Sequence, residues 1–252
     1  MTDTSGVSQP VILLVVGGDP DGALRLPAAL PRGSVVVAAD SGLDRLTGVL
    51  RVDHVVGDLD SVSDAALRHA QVHGSEVHRH PADKDATDIE LAIDLVVGHL
   101  VPATGLRSLL VVGAGAGRLD HLLADVLLLT APSLAALEVT ARLGPATVTV
   151  VRPSSERSLH GEPHEQVSLL PVHGPADGVT TTGLRWPLVD AHLAAGTTRA
   201  MSNELVRTAA VVSLSSGVLA AIQPGTTAPP IDPRTTPYDP TPRPRPNEGN
   251  PS

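Results

Sequence analysis

The chain has no cysteine and no phenylalanine, and only one tryptophan (Trp186), one tyrosine (Tyr238) and one lysine (Lys84). Without cysteine there can be no disulfide and no thiolate metal site. Without aromatic bulk the core must be built from Val, Leu, Ala and Ile. No apolar run approaches the roughly 18 residues of a membrane span. No basic stretch precedes the first apolar segment, so the sequence predicts a cytoplasmic protein that avoids membranes. Positive charge is also scarce: 18 Lys and Arg face 27 Asp and Glu, a net charge of -9. That balance argues against a non-specific nucleic-acid binder, which needs a basic face. With 252 residues, 42% of them apolar, the chain is long enough for one large domain or two modest ones.

What is present is clustered acid. Val55-Val56-Gly57-Asp58-Leu59-Asp60-Ser61 places two carboxylates just past a short β-branched run, and Asp83-Lys84-Asp85-Ala86-Thr87-Asp88 follows about 25 residues later. Two such clusters in one chain suit a hard cation such as Mg²⁺, which takes carboxylates together with phosphate oxygens and water. The chain's sole ammonium, Lys84, lies inside the denser cluster, where it can neutralise the acids or meet phosphate. A structural reading stands beside this one. Ser61 or Ser63 can cap a helix starting near Asp64, and Thr87 with Glu90 forms a capping-box pattern ahead of an apolar-periodic helix. The capping explanation covers Thr87, Asp88 and Glu90 but leaves Asp83, Lys84 and Asp85 unexplained.

Short β-branched runs at 11–16, 35–37, 54–56 and 109–112 each end in glycine or acid, and segments of helical character at 64–73, 88–100 and 119–129 lie between them. This alternation predicts an α/β fold: an N-terminal parallel-sheet domain, residues 11–140, suited to binding a nucleotide. In open α/β sheets the ligand crevice lies beyond the carboxyl ends of the strands. There this sequence places Gly17-Gly18-Asp19, Asp40-Ser41-Gly42, the two acidic clusters and the turn Gly113–Gly117, followed by Arg118, Leu119, Asp120 and His121. Backbone amides of such a turn can approach phosphate, and Arg118 adds a planar, permanently charged fork. Asp120 can orient Arg118, and a histidine placed like His121 is more often a helix-surface or satisfied residue than a catalyst.

After residue 140 the pattern becomes short strands (146–152, 166–172, 178–182, 208–214 and 218–222) between Gly/Pro turns. It predicts a small all-β sandwich domain over 141–223. From 224 to 252, 10 of 29 residues are proline and apolar residues are scarce, so that segment is read as a disordered tail. Trp186 falls within the β-rich part, where it can fill the core or serve as a stacking plate for a flat or cationic ligand. Ser202-Asn203-Glu204 is a polar turn that can line a pocket.

In order and spacing, these blocks resemble the thiamine pyrophosphokinase family over roughly residues 11–222. The matching segments are Ala39-Asp40-Ser41-Gly42, Gly57-Asp58-Leu59-Asp60-Ser61, Asp83-Lys84-Asp85-Ala86-Thr87-Asp88, Gly117-Arg118-Leu119-Asp120-His121, Gly183-Leu184-Arg185-Trp186-Pro187-Leu188 and Ser202-Asn203-Glu204. Ser41 replaces a customary glycine, Ala114 and Ala116 dilute the glycine loop, and Asp125 stands where asparagine is common. The resemblance implies transfer of a pyrophosphoryl group from ATP to the hydroxyethyl oxygen of thiamine, giving thiamine diphosphate and AMP. It implies Mg²⁺ held by Asp58, Asp60, Asp85 and Asp88, with Asp58 or Asp88 as the candidate base. Nucleotide contacts fall to Asp40, Lys84, Thr87, Arg118, Asp120 and His121, and thiamine contacts to Trp186, Ser202 and Asn203. It also implies a homodimer with the thiamine site at the subunit interface. Two alternatives remain at this level: diphosphate transfer to another alcohol such as a hydroxymethyl pterin, and a non-catalytic nucleotide-binding regulator.

Overall fold

The computed structural model describes residues 7–18, 22–83, 85–113, 119–153 and 155–225. The expectations for Asp19, Lys84, the glycine turn with Arg118, and the tail beyond Gly225 lie outside the described residues.

Six strands run parallel in the order β4 (Glu76–Arg79), β3 (His54–Gly57), β2 (Val35–Ala39), β1 (Ile12–Val16), β5 (Ser108–Gly113) and β6 (Glu138–Leu143). The β-branched runs form strands because both faces are covered. Leu13, Val15, Ala38 and Val55 pack with α1 (Gly42–Leu46) and α2 (Asp64–Val72). Ile12, Leu14, Val37 and Val56 pack on the opposite face with α3 (Asp88–Leu95), α4 (Val101–Thr104) and α5 (Leu119–Leu129). Alternate residues of one strand thus enter different cores, which explains why the runs are continuously apolar. Each leucine fully buried this way contributes on the order of 1.5–3 kcal/mol.

The helix expected over 88–100 is interrupted: a π-helical turn at Val96–Leu100 joins α3 to α4. Pro102 is the cause, since it offers no N–H to the ladder and its ring crowds the carbonyl four residues back. The neighbouring Val101 amide reaches Val96 O instead, the wider π spacing. Strands β4 and β6 and helix α1 were not among the expected elements; β4 escaped because Glu-Val-His-Arg shows too little apolar alternation.

The sandwich expected of the second half is present, and one of its layers is the first half's sheet continued. β6 turns back into β7 (Ala146–Val151), which pairs with β14 (Leu219–Gln223), then β9 (Gln166–Pro171), then β12 (Asn203–Glu204), giving ten strands in one sheet. A four-stranded antiparallel sheet covers that end: β8 (Arg157–His160), β13 (Ala209–Ser213), β10 (Ala176–Thr182) and β11 (Ala191–Leu193). Val151, Leu169, Val179, Leu193, Val212 and Leu219 fill the space between the layers. Arg25 ties the N-terminal part to the junction by donating to Gly144 O at 2.8 Å and Ala146 O at 2.6 Å.

Candidate functional site

The carboxyl ends of β2 and β3 lie side by side, and both chains turn there through rarely used backbone conformations. Asp40 follows β2 with φ +44°, Gly57 closes β3 with φ +145°, and Leu59 has φ +65°. Non-glycine residues at positive φ are strained, and such strain is found where geometry must be held for function. The turns bring carboxylate oxygens of Asp40, Asp58 and Asp60 within 4.8 Å of one another. Asp88 arrives from another direction, in the first turn of α3, whose N-cap is Thr87; the Thr87 hydroxyl accepts from the Glu90 amide at 3.4 Å. A methyl group built on Gly57 would lie 3.1 Å from Asp88 Oδ1 and 3.3 Å from Asp40 Cβ. Glycine at this position therefore lets the two acids approach.

The cluster is electrostatically unfinished. Burial, with the negative charges of Asp88, Asp58 and Asp60, pushes the Asp40 carboxyl above the usual carboxylate range, although a backbone hydrogen bond from Ser41 opposes the shift. Among the described residues Asp40 Oδ1 is buried with no hydrogen-bond partner. An unpartnered carboxylate oxygen facing like charges fits a site whose remaining partner is a cation, and an all-oxygen donor set suits Mg²⁺. Around it, Asp58 Oδ1 accepts from the Asp60 amide at 3.2 Å, Ser61 Oγ donates to Asp60 at 2.9 Å, and Arg79 at the end of β4 donates to Asp58 O at 3.3 Å. Ser63, not Ser61, caps α2, with its hydroxyl accepting from the Ala66 amide.

The sequence-predicted residues divide accordingly. Asp58 and Asp60 come together with Asp40, expected to contact nucleotide, and Asp88 lies beside them next to Gly57 and Asp40. Asp85 is exposed on the preceding loop, outside the group that converges. Asp120 and His121 are exposed in the first turn of α5. One turn on, burial raises the Asp125 pKa against the opposing influence of His121. Arg79, unremarkable in the sequence, is brought to the acidic loop only by the β3–β4 register.

The second group of residues surrounds Trp186, which is 53% exposed and so is not the core filler its rarity suggested. Asn203, 4% exposed, holds it in place. Its Oδ1 accepts from the Trp186 amide at 3.1 Å and its Nδ2 donates to the Trp186 carbonyl at 2.7 Å. The Arg185 guanidinium lies 4.9 Å from the indole centroid and is itself held by Glu204 at 3.0 Å. Ser202, at φ +53°, is exposed and donates its amide to Ser168 Oγ at 3.0 Å.

Fold and site together define an open-sheet α/β protein with an acidic crevice fit for a hard cation, joined to a β-sandwich that displays an anchored indole. The family described as thiamin pyrophosphokinase, catalytic domain, matches residues 27–141, and thiamin pyrophosphokinase, vitamin B1 binding domain, matches 155–219. The chain belongs to the thiamin pyrophosphokinase family. A thiamine pyrophosphokinase of Bacillus subtilis is 24% identical over 214 residues, covering 84% of this chain and 97% of that one. Thiamine pyrophosphokinase 3 of Oryza sativa subsp. japonica is 27% identical over 218 residues, covering 76% and 80%. Among solved structures, thiamin pyrophosphokinase from Geobacillus thermodenitrificans superposes with a TM-score of 0.68 at 27% identity, over 86% of this chain and 99% of that one. The Bacillus subtilis structure gives a TM-score of 0.70 at 21% identity, over 86% and 100%, a likeness of fold.

Proposed function

We propose that this protein transfers the pyrophosphoryl group of ATP to the hydroxyethyl oxygen of thiamine, releasing AMP. The observation that carries this reading is the convergence of Asp40, Asp58 and Asp60, with Asp88 beside them, around a buried carboxylate oxygen that has no hydrogen-bond partner among the described residues. These four carboxylates are the ones that would hold Mg²⁺. A bound Mg²⁺ supplies positive charge against the phosphate oxygens, where charge develops during transfer.

The chain's own residues supply alignment. The thiamine oxygen attacks the β-phosphorus, a new O–P bond forms, and the bond from that phosphorus to the α,β-bridging oxygen breaks, the oxygen keeping the electron pair and departing on the α-phosphate of AMP. The hydroxyl proton passes to a carboxylate, Asp58 or Asp88, or to water. Phosphoryl transfer through a loose transition state asks for in-line positioning more than for a strong base. Lys84 and Arg118 are assigned to phosphate charge, Asp120, His121 and Thr87 to the nucleotide side, and Trp186 to the cationic thiazolium, with Ser202 and Asn203 behind it.

We further propose that each active site is shared between two copies of the chain. Asn203, which anchors Trp186, lies on β12 at one end of the ten-stranded sheet, while Asp58 follows β3, one strand from the other end. Eight strand-to-strand steps separate them, roughly 38 Å across the sheet at the usual spacing. No side chain bridges that distance, so a Trp186 that serves the acidic crevice serves a partner's. Exposed apolar side chains support the same view: Leu119, Leu123 and Leu127 form a stripe on α5, and Val189, Met201 and Val206 stand in the same half of the chain as Trp186. Large exposed apolar surface of this kind marks association.

The test is direct. Purified protein incubated with ATP, Mg²⁺ and thiamine should produce equimolar AMP and thiamine diphosphate, separated by chromatography, with turnover lost on chelation. Mg·ATP binding without product would move the search to another alcohol acceptor.

A further inference from the structure

Away from the carboxylates, the first residues of β3 and β4 carry a second convergence that the proposed reaction does not use. His54 and Glu76 are direct cross-strand partners, and His78 lies two residues further along β4. Residues i and i+2 of a strand share a face, so all three side chains lie on the side of the sheet where Val56 meets α3. His54 Nδ1 is 3.2 Å from His78 Nε2. Glu76 presents Oε2 at 3.5 Å from His54 Nδ1 and Oε1 at 3.7 Å from His78 Nε2.

A tetrahedral ion with bonds near 2.0–2.1 Å keeps neighbouring ligand atoms about 3.3 Å apart. The nitrogen–nitrogen separation matches that edge length, and the two Glu76 oxygens, one facing each ring, stand slightly further out, so one ligand atom from each residue falls within 4.8 Å of the others. The ring nitrogens and the carboxylate thus converge as a set of three ligand atoms. The two imidazoles are largely shielded, with side chains 17% and 22% exposed, while Glu76, at 67%, leaves an opening to solvent. Two neutral nitrogens and one carboxylate suit a borderline transition metal, in contrast to the all-oxygen set at Asp40 and Asp58. The two places are distinct, since His54 lies four residues before Asp58, on the order of 13 Å along the strand.

We propose that His54, Glu76 and His78 form a Zn²⁺-type site with its fourth position open to water. The bound ion clips β4 to β3. Among the described residues β4 ends the ten-stranded sheet and pairs with no strand but β3, so the clip secures the element that carries Arg79 to the Asp58 turn. The site is independent of the pyrophosphoryl-transfer reading.

The experiment uses the full-length protein, stripped with chelator and then kept in excess Mg²⁺ so that oxygen-rich sites are occupied. Co²⁺ is titrated in and should give, at one ion per chain, the intense visible absorption of a four-coordinate centre, bleached on adding Zn²⁺. Zn²⁺ should also raise the melting temperature. His54→Gln and His78→Gln should each weaken binding by at least roughly tenfold, given that even outer-sphere changes cost that much. The solvent-exposed Glu76→Gln, which carries little risk to folding, should weaken it as well, with turnover in Mg²⁺ and ATP unchanged in all three. Only the weak spectrum of octahedral Co²⁺, or unaltered binding in the His54→Gln/His78→Gln double variant, would overturn the site.

Discussion

Asn203 grips the backbone of Trp186 from both sides, accepting from its amide at 3.1 Å and donating to its carbonyl at 2.7 Å. Both functional ends of the Asn203 side chain are thereby committed, and its Oδ1 also accepts from the Glu204 amide at 2.9 Å. Under the proposed function, Asn203 therefore acts on thiamine through the tryptophan it positions. Trp186→Ala should raise the Michaelis constant for thiamine far more than that for ATP. Asn203→Ala should show the same imbalance and, in addition, lose about 1–3 kcal/mol of stability from the unpaired backbone groups. Denaturant melts beside two-substrate kinetics separate these effects, and equal rises for both substrates would remove the stacking role.

At the acidic crevice, function and stability should pull in opposite directions. The Asp40 pKa is raised, so the folded protein holds this proton more tightly than the unfolded chain. In the metal-free protein the resulting penalty is absent below the ordinary Asp pKa and grows as pH rises through the higher folded value. Asp40→Asn should accordingly melt higher than wild type at neutral pH without Mg²⁺, while turnover falls by roughly a hundredfold or more. Calorimetry in chelator, paired with the AMP assay, reads both; a variant that melts lower would show that the charge is compensated.

Asp58→Asn should abolish turnover while leaving the fold intact, and so should serve as one half of a complementation test for shared sites. Mixed with Trp186→Ala and allowed to exchange subunits, it should recover roughly a quarter of wild-type activity, because half the dimers are then mixed and each keeps one intact site. Assayed at thiamine far below the raised Michaelis constant of Trp186→Ala, no gain over the parents after verified exchange would place Trp186 and Asp58 of the same chain in one site.

In the sandwich, hydrogen bonds from His192 and Ser216 hold the Asp177 carboxyl below the usual carboxylate range. The stabilisation is present above the ordinary Asp pKa and lost as pH falls through the lower folded value. Ser216→Ala should therefore reduce the melting temperature near neutrality and match wild type at strongly acidic pH. A difference independent of pH would assign the loss to packing.

Much of the first half could be read directly because its information is local. Val11–Val16 and Leu109–Val112 are apolar on both faces, which only a covered parallel strand explains, and the acids that follow such runs must emerge at the carboxyl edge. Thr87 and Ser63 cap the helices that their spacing to the next apolar residue implies. β4 and Arg79 were hidden because an edge strand with one exposed side shows little hydrophobic period. The π-turn depended on Pro102 acting on a carbonyl one turn away.

The sequence by itself determined the alternation of strands and helices in the first half, the acidic chemistry at the strand ends and the aliphatic make-up of the core, since each follows from residue type and short spacing. Only the tertiary structure decided which carboxylates meet. Asp40 meets Asp58 and Asp60 because β2 and β3 are neighbours, with Asp88 beside them from α3, whereas Asp85, close in sequence to Asp88, stays on an exposed loop. Strand order likewise separates Trp186 from that crevice by most of the width of the sheet. The reason is the same in both cases: pairing between strands distant in sequence sets these distances, and nothing in the local run of residues encodes them.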